Sequence, residues 1–283
     1  MPYETLISAE ELYSRLGEPG WVVVDCRFDL AEPSAGRRAY RSAHLPGAYY
    51  AHLDEDLSGP VGRFTGRHPL PAPEVLARRI AAWGVDAATQ VVAYDDRGGA
   101  FAARLWWLLR WLGHDAVAVL DGGLGAWRRH GYPLDDQVPP ARRADFVPNV
   151  REALCLDSAQ VEAALSRQGI ALVDARESPR FRGEHEPIDP VAGHIPGARN
   201  LPFAGNLDDE GCFLAPAALR SRLASVLGDQ DPSASVHMCG SGVTACHNLL
   251  AMAVAGLGDG CLYAGSWSEW IRDPHRPVAR GED

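Results

Sequence analysis

The feature that most constrains the fold of this chain is an internal repeat. In the first half, a helix signal that starts at Ser8 leads into the apolar run 21–25, which ends in an aspartate. In the second half, a helix signal at Asp157 leads into a similar run at 170–174, about 150 residues later. Matching order at near-constant spacing predicts a duplicated domain.

Later parts of the two copies also match. The motif His-Leu-Pro-Gly-Ala at 44–48 corresponds to His-Ile-Pro-Gly-Ala at 194–198, and the strand signal at 91–96 corresponds to the one at 235–239. This comparison pairs Asp96 with Cys239. Because an aspartate cannot do thiol chemistry, the second copy is predicted to be catalytic and the first to support it.

The chain of 283 residues is long enough for each copy to bury its own core. We predict an N-terminal domain over 1–134, a Pro- and charge-rich linker over 135–151 and a C-terminal domain over 152–283. In each copy, short β-branched runs alternate with helical patterns. This alternation predicts an α/β fold with a mostly parallel sheet and helices on both faces.

Cys239 stands at the predicted end of a strand, in front of the small residues Gly240, Ser241 and Gly242. Such a turn lets successive backbone N–H groups point inward, and a helix predicted to begin near Val243 adds the positive end of its dipole. A thiol there is expected to ionise readily and to act as a nucleophile. The alternative is a cysteine that only packs at a strand end.

Composition excludes several other classes of function. The formal charge of −10 argues against nucleic acid and against anionic membranes as partners. No apolar run approaches the roughly 20 residues of a membrane span, and the N-terminus lacks the pattern of a signal peptide, so a cytoplasmic location is expected. Six cysteines without a close-set framework indicate reduced thiols, and no motif indicates a cofactor.

His237, Cys239, Cys246 and His247 could be read as a metal-ligand cluster. However, Cys246 and His247 are neighbours on a predicted helix and point in different directions, whereas a tetrahedral site needs ligands that converge. No metal site is therefore predicted.

Five motifs in the chain form a pattern that is specific when taken together. They are the two His-[Leu/Ile]-Pro-Gly-Ala segments, Arg104-Leu-Trp-Trp107, Asp121-Gly-Gly123, Cys239-Gly-Ser-Gly-Val-Thr-Ala-Cys-His247 and Gly265-Ser-Trp-Ser-Glu-Trp270. With these motifs, the chain resembles the tandem-rhodanese sulfurtransferases over essentially its whole length. The resemblance implies two rhodanese-like domains, each with a mostly parallel five-stranded sheet, and transfer of a sulfane sulfur through a persulfide on Cys239. The acceptor would be a thiol such as that of thioredoxin, or cyanide in an assay.

The loop after the cysteine distinguishes two branches of that family. The thiosulfate branch carries Cys-Arg-Lys-Gly-Val-Thr, and the 3-mercaptopyruvate branch carries Cys-Gly-Ser-Gly-Val-Thr, which is the sequence here. A loop without cations suits a donor with one carboxylate better than a dianion. The resemblance therefore implies 3-mercaptopyruvate as the donor. The alternatives are thiosulfate as the donor, or a module that only carries a persulfide.

The resemblance also implies roles for individual residues. Arg180 would bind the donor carboxylate, whereas the second arginine of the mercaptopyruvate enzymes has no match, because Ile188 and Asp189 stand near its expected position. Ser241 would move a proton together with His44. The acidic partner stays open between Asp54 and Asp56. The loop residues Gly240, Gly242, Val243 and Thr244 would bind the substrate, although Thr244 could instead cap the helix.

A cysteine phosphatase is the nearest chemical alternative. Phosphatase loops of this kind read Cys-x5-Arg, and their arginine grips the phosphate. Here Ala245 stands six residues after Cys239, so the sequence disfavours phosphate-ester hydrolysis.

Overall fold

The structure is a computed structural model that describes residues 2–167 and 169–282. Its contacts divide the chain into two compact units. Unit 1 contains the residues up to Gly59, then Leu70–Arg151 and Leu207–Phe213. Unit 2 contains Pro60–Pro69, Glu152–Asn206 and the residues from Leu214 onward. Each unit therefore takes most of its residues from one half of the chain and a short segment from the other half.

Unit 1 is built on a parallel five-stranded sheet of order β1-β5-β4-β2-β3. The strands are β1 (Leu6–Ile7), β2 (Trp21–Asp25), β3 (Tyr49–Tyr50), β4 (Gln90–Tyr94) and β5 (Val117–Leu120). The helices are α1 (Ala9–Arg15), α2 (Ala35–Ser42), α3 (Pro73–Ala82), α4 (Ala102–Trp111) and α5 (Gly123–Arg129).

Unit 2 repeats this topology with the order β6-β10-β9-β7-β8, again all parallel. The strands are β6 (Cys155–Leu156), β7 (Ala171–Asp174), β8 (Arg199–Asn200), β9 (Ser235–Met238) and β10 (Cys261–Tyr263). The helices are α6 (Ser158–Ser166), α7 (Ser178–Phe181), α8 (Pro216–Leu227), α9 (Ala245–Val254) and α10 (Ser266–Trp270). The predicted fold, two parallel five-stranded sheets flanked by helices, is confirmed.

Local sequence explains how the repeated elements start. Ser8 caps α1 by accepting a hydrogen bond from the N–H of Glu11, and the Glu11 side chain bonds back to the N–H of Ser8. Asp157 and Gln160 form the same capping box at α6. The central strands β4 and β9 are buried at every position, as expected for parallel strands covered on both faces.

The segment 135–151, predicted as a linker, packs along unit 1. Asp135 exchanges two backbone hydrogen bonds with His44, and the N–H of Asn149 donates to the carbonyl of Leu112. Among the described residues, no helix is long and apolar enough to cross a membrane.

A buried ion pair fixes the end of the second strand in each copy. Arg27 forms a bidentate pair with Asp25, with a closest approach of 2.6 Å, and Arg176 pairs with Asp174 at the same distance. The Arg176 guanidinium also lies 4.9 Å from the ring centroid of the buried Trp267. In unit 2, this pair lies at the carboxyl end of the sheet, next to the last residue of β9.

Candidate active site in the second copy

Cys239 directly follows β9 and is only 2% exposed. Its own N–H donates to Oγ of Ser266, at 3.1 Å, and Ser266 in turn donates to the carbonyl of Tyr263 at the end of β10. The N–H of Gly242 points back at Sγ of Cys239, at 3.2 Å. A backbone donor therefore faces the sulfur and stabilises negative charge on it.

The turn after Cys239 requires glycine at position 242. Gly242 has a φ of +76°, and a Cβ there would lie 2.4 Å from the carbonyl oxygen of Ala264. Ser266, whose Oγ accepts a hydrogen bond from the N–H of Cys239, has a φ of +55°. It is the one non-glycine residue with a positive φ in the described chain. A strained serine held in contact with the cysteine is typical of a functional loop.

The residues between this turn and α9 follow the prediction only in part. The helix begins at Ala245, and Thr244 precedes it in a helical conformation without a capping bond from its side chain. Val243 is buried. The structure thus gives Thr244 no capping role.

The pairing of the two copies at this position needs a correction. Tyr94 lies opposite Asp25 in the first sheet, and Met238 lies opposite Asp174 in the second, so the residues that follow, Asp95 and Cys239, are equivalent. The prediction paired Asp96 with Cys239. It was wrong by one position because the loop between strand and helix is one residue longer in the first copy.

In the first copy, the equivalent loop binds the carboxylate of Asp95. The Asp95 carboxylate accepts four backbone hydrogen bonds of 2.8–2.9 Å, from the N–H groups of Arg97, Gly99, Phe101 and Ala102. The loop therefore wraps around an anionic group supplied by its own strand end. In the second copy, the side chain at the equivalent position is the Cys239 thiol.

Ser241 has a partner that the sequence did not reveal. Its Oγ lies 2.7 Å from Nδ1 of His68, and both residues are buried. His68 belongs to the segment 60–69, which is part of unit 2 although it comes from the first half of the chain. A hydroxyl and an imidazole are therefore joined next to the candidate nucleophile.

His44, predicted to act with Ser241, is instead a structural residue of unit 1. It is fully buried, its Nδ1 lies 2.6 Å from the carbonyl of Tyr40, and its Nε2 lies 3.2 Å from the carbonyl of Gln137. His194 repeats the arrangement in the other copy, with Nδ1 2.9 Å from the carbonyl of Phe181. A role shared by both copies does not depend on the thiol, and the imidazole that contacts Ser241 is that of His68.

Arg180 is a half-buried residue of α7 held by two carboxylates. Its Nη2 lies 2.8 Å from Glu186 and 3.3 Å from Asp189, and its Nε also donates to Glu186. Its guanidinium lies within 4 Å of where a Cβ on Gly240 would stand, and its predicted role in binding the donor carboxylate stays a prediction.

The two carboxylates beside Arg180 titrate in opposite directions. For Glu186, burial acts to raise the pKa, but hydrogen bonds from Arg180 and from the N–H groups of Asp189 and Ile188 outweigh it and hold the pKa below its ordinary value. For Asp189, burial dominates and raises the pKa, although Arg67 opposes the shift. Glu186 is therefore the firmer counterion of the pair.

The residues considered as metal ligands are engaged separately. His237 Nε2 lies 3.2 Å from Oγ of Ser235, and Sγ of Cys246 donates to the carbonyl of Gly242. Within the part of the chain that the structure describes, no three His, Cys, Asp or Glu residues are placed to hold a metal ion.

Of the two aspartates considered as the acidic partner, Asp56 is bound elsewhere in unit 1. It pairs with Arg79 at 2.7 Å and accepts a hydrogen bond from the N–H of His52. Asp54 is exposed, and its N–H lies against Nδ1 of His52.

Comparison with known proteins gives a consistent result. The model of the rhodanese-like domain matches twice, over residues 8–130 and 157–273. A Pseudomonas aeruginosa protein named probable 3-mercaptopyruvate sulfurtransferase is 53% identical over 279 residues, which are 98% of each chain. A Mycobacterium tuberculosis protein named provisionally as the thiosulfate sulfurtransferase SseB is 41% identical, also over 98% of each chain. The solved structure of a 3-mercaptopyruvate sulfurtransferase from Leishmania major superposes with a TM-score of 0.84 at 31% identity, and the match covers 97% of this chain and 75% of that one.

Proposed function

The chain belongs to the rhodanese family, and from that membership we propose that it is a sulfurtransferase that takes sulfur from 3-mercaptopyruvate and passes it to a second thiol. The observation that carries the proposal is the contact between Sγ of Cys239 and the N–H of Gly242, at 3.2 Å. It places a preorganised donor on the sulfur that must become anionic before it can attack.

In the first half-reaction, the Cys239 thiolate attacks the sulfur of 3-mercaptopyruvate. A sulfur–sulfur bond forms on Cys239, and the carbon–sulfur bond of the donor breaks. The electron pair of the broken bond stays on carbon, so the donor leaves as the enolate of pyruvate and becomes pyruvate when it takes up a proton. Cys239 then carries the persulfide.

Ser241 and His68 provide the route for that proton. With Oγ and Nδ1 only 2.7 Å apart, the proton released by the Cys239 thiol can pass through the hydroxyl and the imidazole to the enolate. Their direct hydrogen bond also holds the Ser241 side chain in one orientation beside Cys239.

In the second half-reaction, a thiolate of the acceptor attacks the outer sulfur of the persulfide. A new sulfur–sulfur bond forms on the acceptor, and Cys239 returns as a thiolate. A small thiol or the exposed cysteine of a protein such as thioredoxin has the chemistry to do this.

The proposal is tested by measuring pyruvate release from 3-mercaptopyruvate in the presence of a thiol acceptor. The wild-type chain should turn over many times, and Cys239→Ser should be inactive. The matched control is Cys212→Ser, which changes a half-buried cysteine of unit 1 and should leave turnover unchanged. Intact-mass analysis after donor treatment should show about 32 Da added to the wild-type chain and none to Cys239→Ser.

The same assay separates the alternatives. Release of one pyruvate per chain followed by arrest would indicate a persulfide carrier, and a higher kcat/KM for thiosulfate would indicate the other donor branch. Retention of activity in Cys239→Ser would contradict the proposal.

A further inference from the structure

Two guanidinium groups converge over the backbone that follows the candidate nucleophile. A Cβ placed on Gly240 would lie 2.9 Å from Nη2 of Arg67 and 3.5 Å from Nη2 of Arg180. Both arginines also bind the same carboxylate, since Asp189 receives Nη1 of Arg67 on one oxygen and Nη2 of Arg180 on the other. Both guanidinium groups therefore lie close to Gly240, the residue that directly follows Cys239.

Arg67 has donors that its protein partners do not use. Its Nε is buried and has no hydrogen-bond partner among the residues described, while Nη1 is held by Asp189 and Nη2 faces Gly240. A buried guanidinium nitrogen without a partner is costly unless a ligand supplies one. The unused donors of Arg67 are therefore available to an anionic or carbonyl ligand at this place.

The backbone around Arg67 is fixed. The N–H of Arg67 donates to Oγ of Ser268 at 3.1 Å, and the preceding Gly66 approaches the carbonyl of Gly265 so closely that a Cβ would lie 2.6 Å from the oxygen. The segment 60–69 is thus anchored at α10, the helix that also supports Cys239 through Ser266. An anchored backbone makes the guanidinium a preorganised donor.

We propose that Arg67 is the second cation of the donor site, that with Arg180 it grips the carboxylate and ketone oxygens of an α-keto acid, and that Asp189 is the counterion shared by the two arginines. The inference rests on the proposed function and deepens it. The second cation comes from the first half of the chain, whereas the family resemblance implied a position between Arg180 and His194.

The shared counterion also sets which donor charge the site accepts. Arg67 and Arg180 are balanced by Glu186 and Asp189, whose side chains are both 3% exposed. A monoanionic keto acid adds one negative charge to this balanced set, and thiosulfate adds two. Inside a poorly solvated site the second charge is costly, so Asp189 acts as a selector against the dianion.

The first experiment measures binding without sulfur transfer. Hydroxypyruvate carries the carboxylate and the ketone but has no sulfur to give, so its Kd from titration calorimetry reports the site alone. Arg67→Gln should weaken hydroxypyruvate about 10–100-fold, the range expected when a charge-assisted hydrogen bond is lost. Arg67→Lys should recover part of that loss, because lysine keeps the positive charge but not the planar, bidentate arrangement of donors.

Arg63→Gln is the matched control, since it removes an exposed arginine from the same segment and should leave the Kd unchanged. Because Arg67→Gln leaves Asp189 with one arginine partner, the double variant Arg67→Gln/Asp189→Asn tests whether weak binding follows from the missing cation or from a disturbed carboxylate. If weak binding follows from the missing Arg67 guanidinium, the double variant also binds hydroxypyruvate weakly. If it follows from the disturbed Asp189 carboxylate, the double variant regains wild-type affinity.

The second experiment compares donors in steady state. Arg67→Gln should raise KM for 3-mercaptopyruvate by about the factor by which it weakens hydroxypyruvate, and should change kcat less than about threefold. Asp189→Asn should raise kcat/KM for thiosulfate, relative to kcat/KM for 3-mercaptopyruvate, about tenfold. Wild-type affinity for hydroxypyruvate in Arg67→Gln would overturn the inference. A wild-type chain that binds hydroxypyruvate through Arg67 yet releases no pyruvate would instead overturn the proposed function and leave the two-arginine site standing.

Discussion

Oγ of Ser241 lies 2.7 Å from Nδ1 of His68, so a serine from the loop after the nucleophile is paired with a histidine from a segment more than 170 positions earlier in the chain. This contact exists because residues 60–69 fold into unit 2. It joins a hydroxyl, two positions after Cys239, and an imidazole as a pair suited to proton transfer.

If this pair moves the proton, Ser241→Ala and His68→Gln should each lower kcat about 100-fold, with little change in KM, because the loss falls on the chemical step. The double variant should be no slower than the slower single variant, since the two residues act as one unit. Additive losses in the double variant would contradict a shared role.

His44→Gln serves as the contrasting variant. Because each ring nitrogen of His44 lies within hydrogen-bonding distance of a backbone carbonyl, we expect the substitution to lower the free energy of unfolding by about 1–3 kcal/mol and to leave kcat per folded molecule unchanged. A loss of kcat in His44→Gln equal to that in His68→Gln would restore the role that the sequence gave to His44.

Gly242→Ala tests the turn that aims an N–H at the sulfur. The new Cβ would stand 2.4 Å from the carbonyl of Ala264 at a φ of +76°, so the loop must shift and the bond to Sγ of Cys239 should be lost. We expect a loss of at least about 100-fold in kcat/KM, the size seen when one such donor is removed. Gly258→Ala is the matched control, with a φ of +78° and open space around the Cβ, and should cost only about 1 kcal/mol of stability.

His237, on the strand that leads to Cys239, should make unit 2 sensitive to acid. Burial lowers its pKa to about 3, and its Nδ1 has no hydrogen-bond partner among the described residues. The unfolded chain binds a proton at His237 below about pH 6.5 and the folded chain does not, so the stability held above that pH is lost as the pH falls toward 3, at about 1.4 kcal/mol per pH unit.

His237→Leu should therefore flatten the dependence of the unfolding free energy on pH, measured by denaturant titration at about pH 7.5 and about pH 4.5. The exposed His275→Leu is the control and should follow the wild type. Parallel pH dependence in wild type and His237→Leu would show that His237 is protonated in the folded protein.

The elements that the sequence predicted correctly are those set by local pattern. The capping boxes at Ser8 and Asp157 and the buried runs that became β2 and β7 depend on residues only a few positions apart. The position of Cys239 after β9 followed from the same kind of evidence. A strand that runs into small residues and then a helix places the residue after the strand at the carboxyl end of the sheet.

The residues that were missed are defined by contacts across long stretches of chain. Arg67 and His68 lie in a Gly- and Pro-rich loop that has no counterpart motif in the other copy, so the repeat gave no reason to single them out. Their nearness to Ser241 and Asp189 depends on which unit the segment 60–69 joins. The family resemblance implied His44 because its His-Leu-Pro-Gly-Ala motif stands at the matching position, but that motif recurs in both copies and its histidines contact backbone carbonyls.

Asp95 offers a test of the loop in the copy that has no thiol. Asp95→Asn keeps the shape of the side chain but turns two of the four N–H groups, those of Phe101 and Ala102, toward an NH2 group or leaves them without an acceptor. We expect a loss of about 2–4 kcal/mol in the stability of unit 1 and faster hydrogen exchange of these amides, because each buried N–H without a partner costs about 1–3 kcal/mol.

The matched control is Asp96→Asn, the same change on the exposed neighbouring aspartate, which should alter neither quantity by more than about 0.5 kcal/mol. The pair of variants also distinguishes the two possible alignments of the copies, since only the residue equivalent to Cys239 should be held by the loop. Turnover per folded molecule should stay at the wild-type level in both variants, because the sulfur chemistry is assigned to Cys239. Equal losses of stability in Asp95→Asn and Asp96→Asn would contradict the structural alignment, and a loss of turnover in a folded Asp95→Asn chain would give the first copy a part in the reaction.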